Sequence, residues 1–359
     1  MIEEARIIPL PPVDWGGGDI RDNVVLELTT PEGITGLGSA YTGVNQVRSA
    51  LTHFQENPVT PLQYEADMTI PMSAIDIALW DIRGKKENLP VSELLGGRKQ
   101  DRVLAYATVV LPITSATAGD AFDKILRDVL DHGFRAVKLC IENFGHRDIS
   151  NSSKPDKEWD HCEAELLRFA RKIVGKNVQL MLDAYGSVPE WPGDLEWALK
   201  TSRILEELDF LWFEEPLAPK AIEEFVQLTQ LANVAIAGGE DFILVRDFEN
   251  LSNRKAVNIL QPDCTRVGGL TQMRSIRNAA SQNNINLIPH GWNTAVGLAA
   301  DLQFQSTVSD DKYCMVEYRP HRTITDFLEH DPFALDSDGK ITVPTGAGLG
   351  VELNDEFKN

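Results

Sequence analysis

The sequence predicts a (β/α) barrel carrying a smaller α+β unit. From about residue 102 onward, short β-rich runs alternate with longer amphipathic stretches, the pattern of βαβ units and a parallel sheet. Eight such runs can be counted, with stretches long enough to serve as crossover helices between them. At 359 residues the chain is also large enough for a barrel plus an attached unit. An open doubly wound sheet is the competing arrangement, but no Gly-x-Gly-x-x-Gly follows the first run.

Before the barrel, Ala5 to Leu10 and Asn23 to Thr30 read as paired strands, the second alternating Val24, Leu26 and Leu28 before the turn Pro31-Glu32-Gly33. Between them Pro11 to Gly18 forms a glycine-rich loop carrying Trp15, which reads equally as a lid or as an ordinary hairpin loop. Helical periodicity follows at Val44 to Phe54 and at Ser73 to Gly84, and Leu89 to Gly97 closes the unit. The barrel runs are Val103 to Thr108, Ala136 to Ile141, Gln179 to Asp183, Leu211 to Glu214, Val234 to Ala237, Ala256 to Gln261, Asn286 to Pro289 and Tyr313 to Glu317. Asp120 to Asp131, Glu163 to Val174 and Thr271 to Ala280 read as crossover helices. In the tail, Lys340 to Pro344 and Gly350 to Leu353 look like strands that leave the barrel and return to the N-terminal unit.

Composition narrows the function. The formal net charge of -20 repels phosphates and anionic lipid, so neither nucleic acid nor membrane is an expected partner. No apolar run reaches the ~20 residues of a transmembrane helix. The N-terminus enters a strand pattern without the basic start and apolar core of a signal peptide, which points to the cytoplasm. Cys140, Cys162, Cys264 and Cys314 are scattered, so free thiols are expected rather than a disulfide framework or zinc knuckle.

In a (β/α) barrel the active site lies at the C-terminal ends of the strands. Successive runs end in or near Lys138, Asp183, Glu214, Glu240, Asp263, His290 and Glu317. Any one could be an incidental surface charge, but seven in register are hard to dismiss. Asp183, Glu214 and Glu240 come from consecutive strands and would converge, which is costly unless a cation sits among them. Hard oxygen ligands in that number select Mg²⁺ or Mn²⁺ over zinc. Asp263 and His290 would be neighbours, with the carboxylate fixing the imidazole tautomer of a general base. Lys138 is expected to reach a substrate carboxylate, and Glu317 either to donate a proton or to orient a neighbour.

These residues resemble the enolase superfamily, specifically its mandelate racemase subgroup. The motifs are Ser73-Ala74-Ile75-Asp76-Ile77-Ala78-Leu79-Trp80-Asp81 with Leu94-Leu95-Gly96-Gly97, then Phe213-Glu214-Glu215-Pro216, Ala237-Gly238-Gly239-Glu240, Gln261-Pro262-Asp263 and Pro289-His290. The resemblance spans nearly the whole chain. It implies a modified TIM barrel, (β/α)7β, over residues 102–317, with an α+β capping domain of residues 1–101 completed by 318–359. It further implies Mg²⁺ on Asp183, Glu214 and Glu240, a general-base dyad of Asp263 and His290, an electrophilic Glu317, and a homo-oligomer.

Three departures bear on the reaction. Lys138-Leu139-Cys140 stands where two-base members have Lys-x-Lys, and a neutral thiol is a poor base for a carbon acid. Asp183-Ala184-Tyr185 has tyrosine where asparagine is common, and the capping domain is shortened around Phe54 to Met68 with Ser39 where many relatives have glutamate. One histidine can remove a proton and then protonate a leaving hydroxyl, so dehydration of a sugar acid to a 2-keto-3-deoxy acid is the favoured reaction. An aldarolactone cycloisomerase or an epimerase is the runner-up. A Schiff-base Lys138 and a silent carboxylate-binding protein are alternatives of other classes. Candidate substrate neighbours are Trp15, Tyr41, Cys140, Tyr185, Trp292, Arg319 and His321.

Overall fold

A computed structural model of the chain describes residues 2–10, 13–14, 20–21, 23–56, 66–112, 118–142, 157–187, 193–292, 294–319 and 325–357. Trp15 and His321 lie outside the described residues. The N-terminal unit pairs β1 (Glu4–Pro9), β4 (Val24–Thr29) and β5 (Thr35–Ala40) antiparallel in the order β1-β4-β5, with β2 (Val13–Asp14) and β3 (Ile20–Arg21) as a separate small hairpin. Its helices are α1 (Val44–Glu56), α2 (Ala66–Glu87) and the short α3 (Val91–Leu94). Glycine lets α2 lie directly on β5: a Cβ at Gly38 would stand 1.8 Å from the Ala74 carbonyl oxygen, and one at Gly36 2.4 Å from that of Ala78.

The parallel sheet runs from β6 (Arg102–Pro112) through β7 (Ala136–Glu142), β8 (Gln179–Asp183), β9 (Phe210–Glu214), β10 (Ala235–Gly238), β11 (Ile259–Leu260) and β12 (Asn286–Leu287), with β13 (Met315–Glu317) on the other edge of β6. Crossovers are α4 (Ala118–Asp131), α5 (Lys157–Val174), α6 (Leu195–Glu207), α7 (Ile222–Leu231), α8 (Val245–Arg254), α9 (Gly269–Gln282) and α10 (Ala295–Gln305). Tyr106, Ala136, Met181, Trp212, Ala237, Ile259, Ile288 and Met315, drawn from around the whole ring, pack into one buried layer that fills the barrel. Among the described residues no backbone ladder joins β12 to β13. The seam is spanned instead by the buried Gln305 amide, whose Nε2 donates to the carbonyls of Leu287 (3.3 Å), Tyr313 (3.3 Å) and Met315 (3.0 Å).

Most expected runs appear as strands, and the differences have physical causes. The Ala256 to Gln261 run shrinks to β11 because Asn258 meets the Ile236 N–H with its side-chain Oδ1 (2.8 Å), where a strand would use a carbonyl. The tail corrects the expectation of strands leaving the barrel: β14 (Lys340–Thr342) pairs antiparallel with Arg102 to Leu104 of β6. Since β7 begins pairing only at Ala107, those first residues of β6 offer an open edge. Gly350 to Leu353 contributes a single bridge, Leu328 to Leu353. The tail does reach the N-terminal unit, through the Leu349 N–H on Asp81 Oδ1 (2.7 Å) and the Val91 N–H on the Gly348 carbonyl (2.8 Å).

Candidate active site

Parallel register sets Cys140 opposite Asp183, and Asp183 opposite Glu214, in one row at the C-terminal rim. Asp183 and Glu214 each follow a barrel-filling residue, Met181 and Trp212, by two positions, so strand alternation turns them to the same interior face. Glu240 lies two residues beyond β10, past Gly239, whose φ of +114° suits glycine alone. One carboxylate oxygen from each of Asp183, Glu214 and Glu240 lies within 4.8 Å of the other two.

Each acid has fixed partners. Glu214 accepts from Lys138 Nζ (2.6 Å) on Oε1, and from Trp212 Nε1 (2.9 Å) and Gln261 Nε2 (2.7 Å) on Oε2. Asp183 accepts from the Tyr185 N–H (2.8 Å) and pairs with Lys138 Nζ at 3.2 Å. Burial pushes Glu214 up to about 7 against the opposing pull of Lys138, and it raises Asp183 and Glu240 as well. Glu215, buried behind them with Oε2 on the Ser187 N–H (3.1 Å), is raised further, by burial and then by Glu240 and Asp183. One ammonium is thus set against several buried carboxylates. The donor set fits a hard divalent cation, because all-oxygen ligands suit Mg²⁺ or Mn²⁺ and a cation offsets the burial and mutual repulsion that raise these groups.

Across from Glu240 stands His290, its Nε2 3.5 Å from Glu240 Oε2 and its Nδ1 2.9 Å from Asp263 Oδ2. Asp263 is wholly buried, and its other oxygen accepts from the Thr265 N–H (2.7 Å) and hydroxyl (2.6 Å). Burial alone would lower the imidazole, but the Glu240 charge and the Asp263 hydrogen bond outweigh it and hold His290 at about 9. Glu317 behaves in the opposite way to its neighbours. Burial would raise it, yet Lys138 and His290 bring it down to about 2. It accepts from the Thr108 hydroxyl, the Gly291 N–H (3.1 Å) and Trp292 Nε1 (2.9 Å). An ionised acceptor so engaged suits the orienting role and not that of a proton donor.

Lys138 stands among the same acids, as buried as they are. It is 1% exposed, contacts Glu214 and Asp183, and has Glu317 at 3.7 Å. Burial opposes its charge, but those carboxylates hold the ammonium well above the ordinary lysine range, unlike a Schiff-base nucleophile, which must lose its proton. Cys140 lines the rim with its thiol pushed up by burial and by Asp183, which suits a pocket-lining thiol and not a second base. Tyr185 has a φ of +60°, a left-handed conformation that asparagine adopts at less cost than tyrosine. Trp292 stacks on His290, with ring centroids 6.5 Å apart, and the Arg319 guanidinium lies 4.5 Å over Trp292. Tyr41, just past β5, donates its backbone N–H to the Thr265 carbonyl (3.1 Å), bringing the N-terminal unit against the turn after β11.

The structure also brings in residues to which the sequence reading gives no role. Trp212 and Gln261 bind Glu214, Thr108 binds Glu317, and Arg266 lies beside Tyr41 and Asp241. The available signals were the two-residue spacing of Trp212 and Glu214 and the place of Gln261 in Gln261-Pro262-Asp263.

Residues 121–357 match the family described as enolase C-terminal domain-like, and residues 44–96 match the mandelate racemase/muconate lactonizing enzyme N-terminal domain. The chain is 30% identical over 300 residues to a D-galactarolactone cycloisomerase of Agrobacterium fabrum, covering 79% of this chain and 71% of that one. It is 29% identical to a D-galactonate dehydratase of Variovorax paradoxus, over 92% and 88% of the two chains. The solved structure of a 3,6-anhydro-D-galactonate cycloisomerase from Zobellia galactanivorans superposes with a TM-score of 0.80 at 26% identity, covering 99% and 97%. With its acidic triad, its dyad and these relatives, the chain is an enzyme of the enolase superfamily, in the mandelate racemase/muconate lactonizing enzyme group.

Proposed function

We propose that this enzyme removes the proton alpha to the carboxylate of a sugar acid, giving an enediolate, and then expels the C3 hydroxyl to form a 2-keto-3-deoxy acid. The observation that carries the reading is His290 facing Glu240 at 3.5 Å while backed by Asp263 at 2.9 Å. Asp183, Glu214 and Glu240 would hold Mg²⁺, or Mn²⁺ in its place. When bound, the ion supplies Lewis-acid stabilisation of the charge that develops on the carboxylate. The barrel, residues 102–317 with β14 on its first strand, carries the chemistry beneath a cap of residues 1–101, which the tail rejoins at Gly348 and Leu349.

A cation held by Glu240 would offset the charge that keeps the imidazole protonated, and Asp263 accepts from Nδ1, so His290 Nε2 would then be the base that takes the C2 proton. The resulting imidazolium then returns its proton to the departing hydroxyl. On the opposite face the protonated Cys140 thiol offers no base, which supports elimination over two-face epimerisation. Lys138 keeps the acids packed together, and Glu317 fixes the Trp292 ring that stacks on His290.

A cycloisomerase acting on an aldarolactone is the second reading, favoured by the names of two relatives, the D-galactarolactone and 3,6-anhydro-D-galactonate cycloisomerases. Incubation of the Mg²⁺-loaded protein with aldonates, aldarates and their lactones, with keto-acid detection and NMR of the products, tests both. Keto acid from an open-chain acid, absent with His290→Asn, supports dehydration. Conversion confined to lactones moves the assignment to the second reading, and no reaction or C2 deuterium exchange with any of them overturns both.

A further inference from the structure

Arg266 lies three residues beyond Asp263, in the turn that carries Asp263 to α9, with its backbone N–H on the Asp263 carbonyl (3.0 Å). Its guanidinium is bounded by Asp241, the residue after Glu240, at 3.6 Å and by the Tyr41 ring at 5.5 Å. It therefore stands where the ends of β10 and β11 meet the N-terminal unit, close enough for its charge to be felt by Glu240. The side chain is only 15% exposed, and Nε is fully covered without a hydrogen-bond partner among the described residues. Asp241 lies beyond hydrogen-bonding distance.

A guanidinium this enclosed ordinarily satisfies its N–H groups, and the ligand shape that does so best is a planar carboxylate taken in bidentate fashion. Lys138 is engaged by Glu214 and Asp183, and Arg319 lies over Trp292. A phosphate would bring more negative charge among the buried acids Asp183, Glu214, Glu215 and Glu240 than one cation offsets.

We infer that Arg266 binds a second carboxylate of the substrate, remote from the reacting carbon, so that the enzyme selects aldaric over aldonic acids. This rests on the proposed function for the position of the substrate between the N-terminal unit and the barrel rim. A diacid needs two anchors, the metal at the reacting end and a fixed cation at the other. Arg266 supplies the second from a turn already pinned by Asp263, Thr265 and Tyr41.

The test is calorimetric titration of the full chain with Mg²⁺, in the His290→Asn background to prevent turnover. The probes are matched pairs, galactarate against galactonate and glucarate against gluconate. At least one diacid should bind about tenfold or more tightly than its monoacid, the scale of one charge-assisted bidentate contact. Arg266→Met should erase that ratio and leave monoacid affinity unchanged, while Arg266→Lys keeps part of it. The kcat/KM ratio within each pair, measured on the wild-type and Arg266→Gln enzymes, gives the same comparison should a variant fold poorly. Equal affinity for both members of each pair, no binding of either, a ratio unmoved by Arg266→Met, or its loss on Arg319→Met alone would overturn the inference. Failure of the proposed reaction would show differently, as absent keto acid and C2 exchange while the binding ratio is still read.

Discussion

His290 Nδ1 sits 2.9 Å from Asp263 Oδ2, and the other Asp263 oxygen is tied to the Thr265 N–H and hydroxyl, so the carboxylate cannot rotate away from the imidazole. Asp263→Asn preserves shape but removes the charge and permits the wrong tautomer. We expect kcat to fall by about 10²–10⁴-fold with KM little changed, the range for loss of general-base function. Steady-state kinetics checks this, and a fall confined to KM would place Asp263 in binding instead.

Metal loading should be visible without activity. The triad predicts one Mg²⁺ bound per chain by calorimetry, with stability rising by about 2.7 kcal/mol at a hundredfold excess over Kd. EDTA should reverse the rise in melting temperature, and Glu214→Gln should abolish it. An unchanged response in that variant would place the ion elsewhere.

Lys138 is the counter-ion of the acidic cluster. Lys138→Met strands buried carboxylates and should cost roughly 3–5 kcal/mol in the metal-free protein, as for other broken buried ion pairs. Urea unfolding reads this. Borohydride with substrate should trap no adduct on the wild-type chain.

Glu317 gives a stability prediction with a definite pH window. Its folded-state value of about 2 lies below the ordinary 4.5, so its contribution is present above pH 4.5 and is lost as pH falls toward 2. The linked free energy is on the order of 3 kcal/mol. Glu317→Gln should therefore be less stable at neutral pH, and the gap to wild type should close on acidification between pH 4.5 and 2. A gap that stays constant across that window would refute the assignment.

Much of this was legible in the sequence because barrel strands carry their functional residues at their ends. Asp183, Glu214, Asp263 and His290 could be read from strand endings alone, and the structure brings their side chains together. What escaped depends on pairing. The Lys138 ammonium pairs with Glu214 and Asp183, partners that strand position alone does not choose. Strand β5 was hidden because Gly36 and Gly38 interrupt its apolar alternation, though those glycines are what admit α2. The pairing of β14 with β6 follows from the surplus length of β6, and Gln305 reads as an ordinary polar helix residue until the seam it spans is seen. Arg266 shows no strand-end position and no periodic signal, so only the folded turn reveals where it lies.

The two outer partners of β6 come from the far end of the chain. Arg102 meets Asp336 across 234 positions, and β13 and the Gln305 amide both follow nearly all of the barrel in sequence. During synthesis the ring therefore remains an open ribbon until its last segment emerges, with one flank of its first strand exposed to other chains. Contacts so distant in sequence form slowly. Expression at lower temperature or with chaperones should improve soluble yield more than stabilising the finished barrel would.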